Sequence, residues 1–456
     1  MLLNHTDVKR AERSLRFSTR EGMAYGAVQG FGEHFTSPYA IALGATNTQL
    51  GLLTSLPSFL GALAQLSSAR FVKLLGNRKR TVLLFAALSG FMWIPILSVG
   101  YLFESHRSDW LIGFLTLYVL FGLMVVPPWG SIMAEVVPHQ LRGRYFGLRS
   151  RWSTLANLVT FIIAGGLLYL FRDRGLTGFV LVFGVAFGFR MISVALLTTL
   201  FELPHSPKEE ESLSPRDFLR QLPRSNLGRT MLFIFSMNFA VNLAGPFFAP
   251  YMLRELKMDY VTFTILEAVS IVATFWAVSH WGAAADRVGN RKMLTFASFL
   301  IAVVPLMWMV SADTAYLGFA EAYTGLVWAG FNLVSVNFIY DATTAHNRTA
   351  YLAYFATGAG IATSLGALAG GFLIPHMPML KGSTILSIFL LSGILRLLVA
   401  AVFLPRIQEV RRVREIPAAE LFHIMMGGRS VHRPAHRGRM QINFHGHRNV
   451  VPKEPG

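Results

Sequence analysis

The chain has 456 residues, 53% of them hydrophobic and only 14% charged, with no cysteine and a formal net charge of +17. A soluble domain carries about 25% charged residues because even a large core needs a charged exterior, so this composition points to lipid as the outer solvent. The lack of cysteine excludes disulfides, thiolate catalysis and cysteine-ligated metals.

The first twenty residues carry Lys9, Arg10, Arg13, Arg16 and Arg20 without an apolar core and small-residue cleavage site, so no cleaved signal peptide is expected. Stretches of roughly 20 mostly apolar residues, enough for a helix to span a bilayer, then recur twelve times. They run over 22–45, 48–73, 81–103, 111–135, 145–170 and 177–201, then 229–253, 260–284, 292–312, 315–340, 350–375 and 383–404. The first and seventh are the least purely apolar. The expected organisation is a terminal segment (1–21), a six-helix half (22–201), a central loop rich in Pro, Ser and charge (202–228), a second six-helix half (229–405) and a basic tail (406–456). The tail is too polar to pack and is expected to lack regular structure.

An even number of spans puts both termini on one side, and the charges separate accordingly. Of 41 Lys and Arg, 33 fall on the side of the termini and six on the other, while Arg190 and Arg396 lie within spans. This is the positive-inside pattern of a multi-pass inner-membrane protein with both termini cytoplasmic. A net charge of this size would suggest nucleic acid in a soluble protein. Here its distribution explains it, and no nucleic-acid partner is expected.

The chain also repeats. Glu135, Arg142, Tyr145 and Arg190 recur 206 positions on as Asp341, Arg348, Tyr351 and Arg396. Gly76-Asn77-Arg78-Lys79 recurs as Gly289-Asn290-Arg291-Lys292, and Pro38-Tyr39 as Pro250-Tyr251. Each pair occupies the same place in its half, so the fold class is an all-α membrane protein of two parallel six-helix repeats with a site between them.

The loop between the eighth and ninth spans carries Gly282, Asp286, Arg287, Gly289, Arg291 and Lys292 at fixed spacing. It resembles the hallmark loop of the major facilitator superfamily, which reads G-x-x-x-D-R-x-G-x-R-[KR]. The first-half copy keeps Gly76, Arg78 and Lys79 but has Lys73 where the Asp belongs. The resemblance covers about residues 20–405. It implies alternating-access transport and a cavity lined mainly by helices one, four, seven and ten. Asp286, Arg287 and Arg291 are candidate gate residues that hold helix ends and carboxylates in one conformation only. Glu135 with Arg142 and Asp341 with Arg348 are their candidate partners at helix ends. The sugar-porter half-end motifs are missing, and Ala164-Gly165-Gly166 lacks the proline of proton-driven drug exporters. The substrate subfamily is therefore open.

Ionisable groups inside spans are costly and usually face a cavity or a partner. Tyr25, Gln29 and Glu33, spaced by four, share a face of the first helix, and Glu33 lies about 16 Å along it, near mid-bilayer. Glu33, with His34 beside it, is the candidate proton carrier; the plainer reading is a permanently paired or hydrogen-bonded Glu. Asn238 and Asn242 occupy helix seven, Trp129 helix four, and Glu321, Trp328 and Asn332 helix ten, completing the candidate substrate and proton pathway. Glu267 and Glu321 are expected toward the outer surface. Arg190 and Arg396 are expected to snorkel to the interface in a structural role. His432, His436, His445 and His447 lack nearby carboxylates, so no metal is expected.

The function these features predict is secondary active transport of a small organic solute. The permease would be proton-coupled through Glu33, and an aromatic cavity with few fixed charges favours export. No phosphate-binding loop or nucleophile–base cluster is present, so an ATP-driven pump and an enzyme are not expected. The expected partners are the solute, protons and anionic lipids at the cytoplasmic face, with no cofactor, in a monomer. The alternatives are a transporter-shaped sensor or assembly scaffold without transport, or an uncoupled facilitator.

Overall fold

The computed structural model describes residues 5–137, 142–202, 215–343 and 348–410. The side chains of Arg142, Asp286, Arg287 and Arg348, and the histidines of the tail, lie outside the described residues.

The first half comprises α1 (His5–Phe31, continued after a break by Glu33–Phe35 and Thr36–Ala42), α2 (Asn47–Leu66), α3 (Arg78–Leu102), α4 (Arg107–Val136), α5 (Arg142–Leu170) and α6 (Thr177–Leu197). The second comprises α7 (Asn226–Glu255), α8 (Tyr260–Val288), α9 (Asn290–Met307), α10 (Thr314–Ala342), α11 (Arg348–Leu373) and α12 (Thr384–Phe403). Among the described residues ten helices are long and apolar enough to cross a membrane, eleven when Asn47–Gln65 and Ser68–Leu75 count as one bent span. The remaining helix is α1, whose charged start and polar face hold it below that threshold.

Local sequence sets many of the starts. Thr46 and Gln49 form a reciprocal capping box on α2, and Asn77, Ser225, Asp313 and Ser383 cap α3, α7, α10 and α12. Each cap satisfies backbone N–H groups that the first turn leaves without partners. Asp259 accepts from the N–H of Val261 and Thr262 at the start of α8. These bonds, that from Thr262 above all, hold its carboxyl below the usual carboxylate range.

Several bounds differ from the sequence reading. α1 begins at His5 rather than 22, because a helical stretch that is not required to span lipid needs no apolar composition. α2 ends at Leu66 and bends into a short helix, Ser68–Leu75, where one span over 48–73 was expected. The central loop contains a further helix, Pro215–Gln221. α1 and α7 break at corresponding places into single 3₁₀ turns, Glu33–Phe35 and Gly245–Phe247, just ahead of the repeated Pro-Tyr pairs.

The two halves meet on the side away from the termini, here the distal side. Thr48 Oγ1 donates to the Gly371 carbonyl at 3.1 Å, joining α2 to α11. A Cβ on Gly51 would lie 2.7 Å from the Ala367 carbonyl oxygen, so only glycine permits this approach. Phe35 meets Phe263 of α8, Phe179 meets Tyr260, and Arg254 donates to the Ala45 carbonyl. The hydrophobic core is continuous across both halves there, from Phe35 and Phe161 to Phe247 and Phe389. Toward the termini it divides, with Ile132, Met133 and Leu200 in one cluster and Phe218, Met231 and Ile339 in another. The molecule is closed distally and divided at the terminal side.

This contact is open to a direct test in a cysteine-free chain. A Cβ on Gly371 would lie 3.2 Å from Gly51 Cα and 3.3 Å from Thr48 Cα, so the helices need give only by a few tenths of an ångström to hold a disulfide between positions 48 and 371. The pair Thr48→Cys and Gly371→Cys should crosslink on mild oxidation, read as loss of alkylation by intact mass. Full alkylation of both thiols would contradict the distal seal.

Candidate functional site

Glu33 is the first residue of the 3₁₀ turn that interrupts α1. A break inside a span frees backbone groups and opens room for side chains, which is tolerated where it lines a cavity. Its carboxylate accepts three hydrogen bonds: from Tyr118 of α4 at 2.6 Å, from Tyr25 at 3.1 Å and from Gln29 at 3.4 Å. The four-residue spacing of Tyr25, Gln29 and Glu33 thus brings all three together. Tyr118, which sequence reasoning missed, is the shortest contact; nothing in the apolar run of α4 singles it out.

The carboxylate lines a cavity of about 290 Å³ within the first half. Tyr25, Ser89, Tyr118 and Arg190 form its polar part, and Leu53, Pro57, Val119 and Leu123 its apolar wall. Arg190 is 4% exposed and does not snorkel. Its guanidinium donates to Ser89 Oγ at 2.7 and 3.1 Å and to Ser193 Oγ at 3.4 Å, and lies 5.0 Å from the Tyr25 ring. Ser193 donates to Glu21 at 2.9 Å, and Glu21 pairs with Arg149 at 2.7 Å. Arg149 in turn lies 4.6 Å from the Trp129 ring. The chain from Glu33 through Tyr25, Arg190, Ser193 and Glu21 to Arg149 contains two carboxylates and two guanidiniums. Buried ions persist when paired and hydrogen-bonded in this way.

The other candidates lie elsewhere. His34 turns to α5, with Nε2 3.2 Å from Asn157 Oδ1 and its ring against Phe161. Trp129 packs with Arg149 and Phe146, outside the cavity lining. Asn238 and Asn242 donate to backbone carbonyls one turn back, and Asn242 also reaches Thr363 of α11 at 3.2 Å. Trp328 packs on Phe331, and Asn332 is exposed. None of these six, nor Glu321, lines the cavity of Glu33. Glu321 is 6% exposed and lies with Glu267 where α8 and α10 pack closely, a correction to their expected place in a wet vestibule. Arg396, 1% exposed, donates to Ser392 and to the carbonyls of Ile301 and Val241. Like Arg190 it is buried, because enough acceptors surround it. Gly245 stands in the α7 break where α1 has Glu33, so the two halves are chemically unequal.

At the terminal side, Arg78 takes a forked hold on Glu135 at 2.7 and 2.8 Å, and donates to Ser131 and Glu202 at 2.9 Å. Glu202 also accepts the backbone N–H groups of Arg78 and Lys79 at the start of α3. The second half repeats the plan: Asn290 donates to Asp341 at 2.5 Å, and the N–H of Arg291 to Glu409 at 2.8 Å. Glu135 and Asp341 are thus held by the hallmark loops. Glu202 and Glu409 were missed, although they too are separated by one repeat. Among the described residues no group of three His, Cys, Asp or Glu could hold a metal ion.

This architecture is that of a multi-pass membrane transporter of two six-helix repeats. Solved structures share it at low identity. The D-xylose–proton symporter aligns with a TM-score of 0.69 at 12% identity, over 89% of this chain and 99% of that one. A point mutant of the nucleoside transporter NupG gives 0.67 at 12%, over 88% and 100%. A bacterial homolog of the human lysosomal transporter Spinster, inward-facing and unoccupied, gives 0.63 at 12%, over 89% and 99%. No curated protein sequence matches the chain. The family model of the Major Facilitator Superfamily matches residues 23–240 and 230–435, and the chain belongs to that superfamily. It is a transporter-family protein, not an enzyme.

The clamp on α3 carries a stability prediction. Arg78→Ala removes the buried guanidinium from which both Glu135 and Glu202 accept and should cost about 3 kcal/mol, the lower end for a broken buried pair because Glu135 is partly exposed. Thermal unfolding in detergent should show a clear loss, with Arg78→Lys intermediate. An unchanged midpoint for Arg78→Ala would show that the clamp holds nothing.

Proposed function

We propose that the protein is a proton-coupled secondary transporter of a small polar solute and that Glu33 is the group that takes up and releases the proton. The observation that carries this reading is the three-donor carboxylate at the helix break, inside a cavity, with no cation bonded directly to it. A Glu locked to an arginine has no reason to change protonation during a cycle. Here the direct partners are two phenols and an amide, which can rotate to accept from a protonated Glu33 as readily as they donate to a charged one.

The arrangement of the halves supports alternating access. The terminal side, which the charge distribution assigns to the cytoplasm, is the divided one, so this is an inward-facing form. Rocking about the bilayer midplane would break the Thr48–Gly371 contact and close the terminal side. The clamp of Arg78 on Glu135 keeps the first half together through that motion, and the α8–α9 junction with Asp286, Arg287 and Arg291 is where the second half would rearrange, releasing the Asn290–Asp341 contact. The site lies within one chain, so a monomer suffices. Location in an inner membrane with both termini cytoplasmic belongs to the same proposal.

Arg190 changes the argument on direction. Export rested on a cavity with few fixed charges, yet this lining holds both a guanidinium and a carboxylate. That pairing supports a polar solute, and the basis for export disappears. Neighbours of the same fold include a D-xylose–proton symporter and a nucleoside transporter, which makes pentoses and nucleosides the first solutes to try.

The test uses proteoliposomes with a trapped pH dye and a panel of pentoses and nucleosides. A solute that moves protons with wild type should still bind Glu33→Gln, read by thermal shift, but move no protons. Tyr118→Phe should keep proton movement while shifting its pH dependence. Equal proton movement by wild type and Glu33→Gln, or none with any solute, would overturn the proposal.

A further inference from the structure

The outer surface of the first half carries a groove that the transport reading does not use. It runs between α5 and α6 with α1 as its floor and encloses about 540 Å³. Val159 of α5 and Phe189 and Ile192 of α6 form its walls, and Ala24 lies on the floor. One end is marked by Arg20 and Trp152; the rest of the lining is almost wholly apolar. Val159 and Ile192 are about half exposed, so in a membrane the groove faces lipid.

The depth of that end can be placed. Arg20 lies thirteen residues before Glu33, about 20 Å along α1. With Glu33 near mid-bilayer and a hydrocarbon half-thickness of about 15 Å, Arg20 reaches the headgroup layer. Trp152 at the same end is 42% exposed, as tryptophans at this interface are. Arg20 has no acidic partner among the described residues: its guanidinium lies 5.4 Å from the Phe17 ring, while the adjacent acid, Glu21, is committed to Arg149 and Ser193. Arg13 lies beside the same Phe17 ring, adding positive charge on the terminal side.

We propose that the groove is a binding site for an anionic phospholipid of the terminal-side leaflet, one acyl chain lying along α1 and the headgroup phosphate on Arg20. The small side chain at Ala24 makes the room, and the unpaired guanidinium at one end supplies the charge selection. An acyl chain there would fill the space between α5 and α6 against α1, the helix that carries Glu33.

The experiment is a titration of the full-length protein in detergent with phosphatidylglycerol and with phosphatidylcholine of the same chains, read by native mass spectrometry. Wild type should bind phosphatidylglycerol about fivefold more tightly, the factor expected of one basic side chain at a lipid surface. Arg20→Gln should remove that preference and keep the weaker binding common to both lipids. Val159→Trp, at an exposed position that fills the groove without touching the core, should weaken both lipids together. Equal affinity of wild type for the two lipids, a preference that survives Arg20→Gln, or unchanged binding in Val159→Trp would overturn the assignment.

Discussion

The structure depends on the cost of placing charge in hydrocarbon. Glu33 and Arg190 stand within the membrane-spanning bundle of the first half, Glu21 and Arg149 close the network at its terminal-side end, and the buried charges are tolerable because these partners and their hydroxyl intermediates are present. The network runs over α1, α3, α4, α5 and α6, so it fixes their relative positions as well as their charges. Aromatic rings complete it: Tyr25 beneath Arg190 and Trp129 beneath Arg149 cover guanidinium faces that would otherwise meet lipid or void. A rigid first half is the consequence, and a rigid half can rock as a body.

The second half obeys the same geometry with different chemistry. Its first helix breaks at the matching place, but with Gly245, and its buried guanidinium, Arg396, is satisfied by backbone carbonyls and one serine. Symmetry therefore accounts for the shape of the bundle and for the two helix-start clamps, one built on Arg78 and the other on Asn290. It does not extend to the carboxylate in the break. The second half instead carries its buried carboxylate, Glu321, beside Glu267 between α8 and α10, and it is the Glu33 carboxylate in the first half to which we assign the proton.

Much of the architecture was legible in the sequence because bilayer thickness and hydropathy constrain it so strongly. The apolar stretches predicted the spans, and the repeated Glu135/Asp341 and Arg78/Arg291 elements predicted two equivalent halves. The four-residue spacing on α1 brought Tyr25, Gln29 and Glu33 to one point. What periodicity could not carry was contact between helices. Tyr118 reaches Glu33 from 85 positions away and Ser89 reaches Arg190 from 101, and hydroxyl residues are ordinary in apolar helices. Snorkelling was a reasonable expectation for Arg190 considered alone. It failed because Ser89, Ser193 and Tyr25 together make a site that one helix does not reveal. The short helix Ser68–Leu75 was missed for another reason: Phe71, Val72, Leu74 and Leu75 prolong the apolar run of α2 in the sequence, while Arg70 and Lys73 make the segment amphipathic and it turns away from the α2 axis.

The central claim is that the protonation state of Glu33 sets the balance between the distally closed form and its opposite. Spin labels on the cysteine-free chain at Glu104→Cys and Ala312→Cys, in corresponding exposed distal loops of the two halves, report that balance as a distance distribution measured by pulsed electron resonance. The account predicts that the distribution shifts between low and high pH in an otherwise wild-type chain and is insensitive to pH with Glu33→Gln. The same pH-dependent shift in both proteins would place the trigger elsewhere and contradict it.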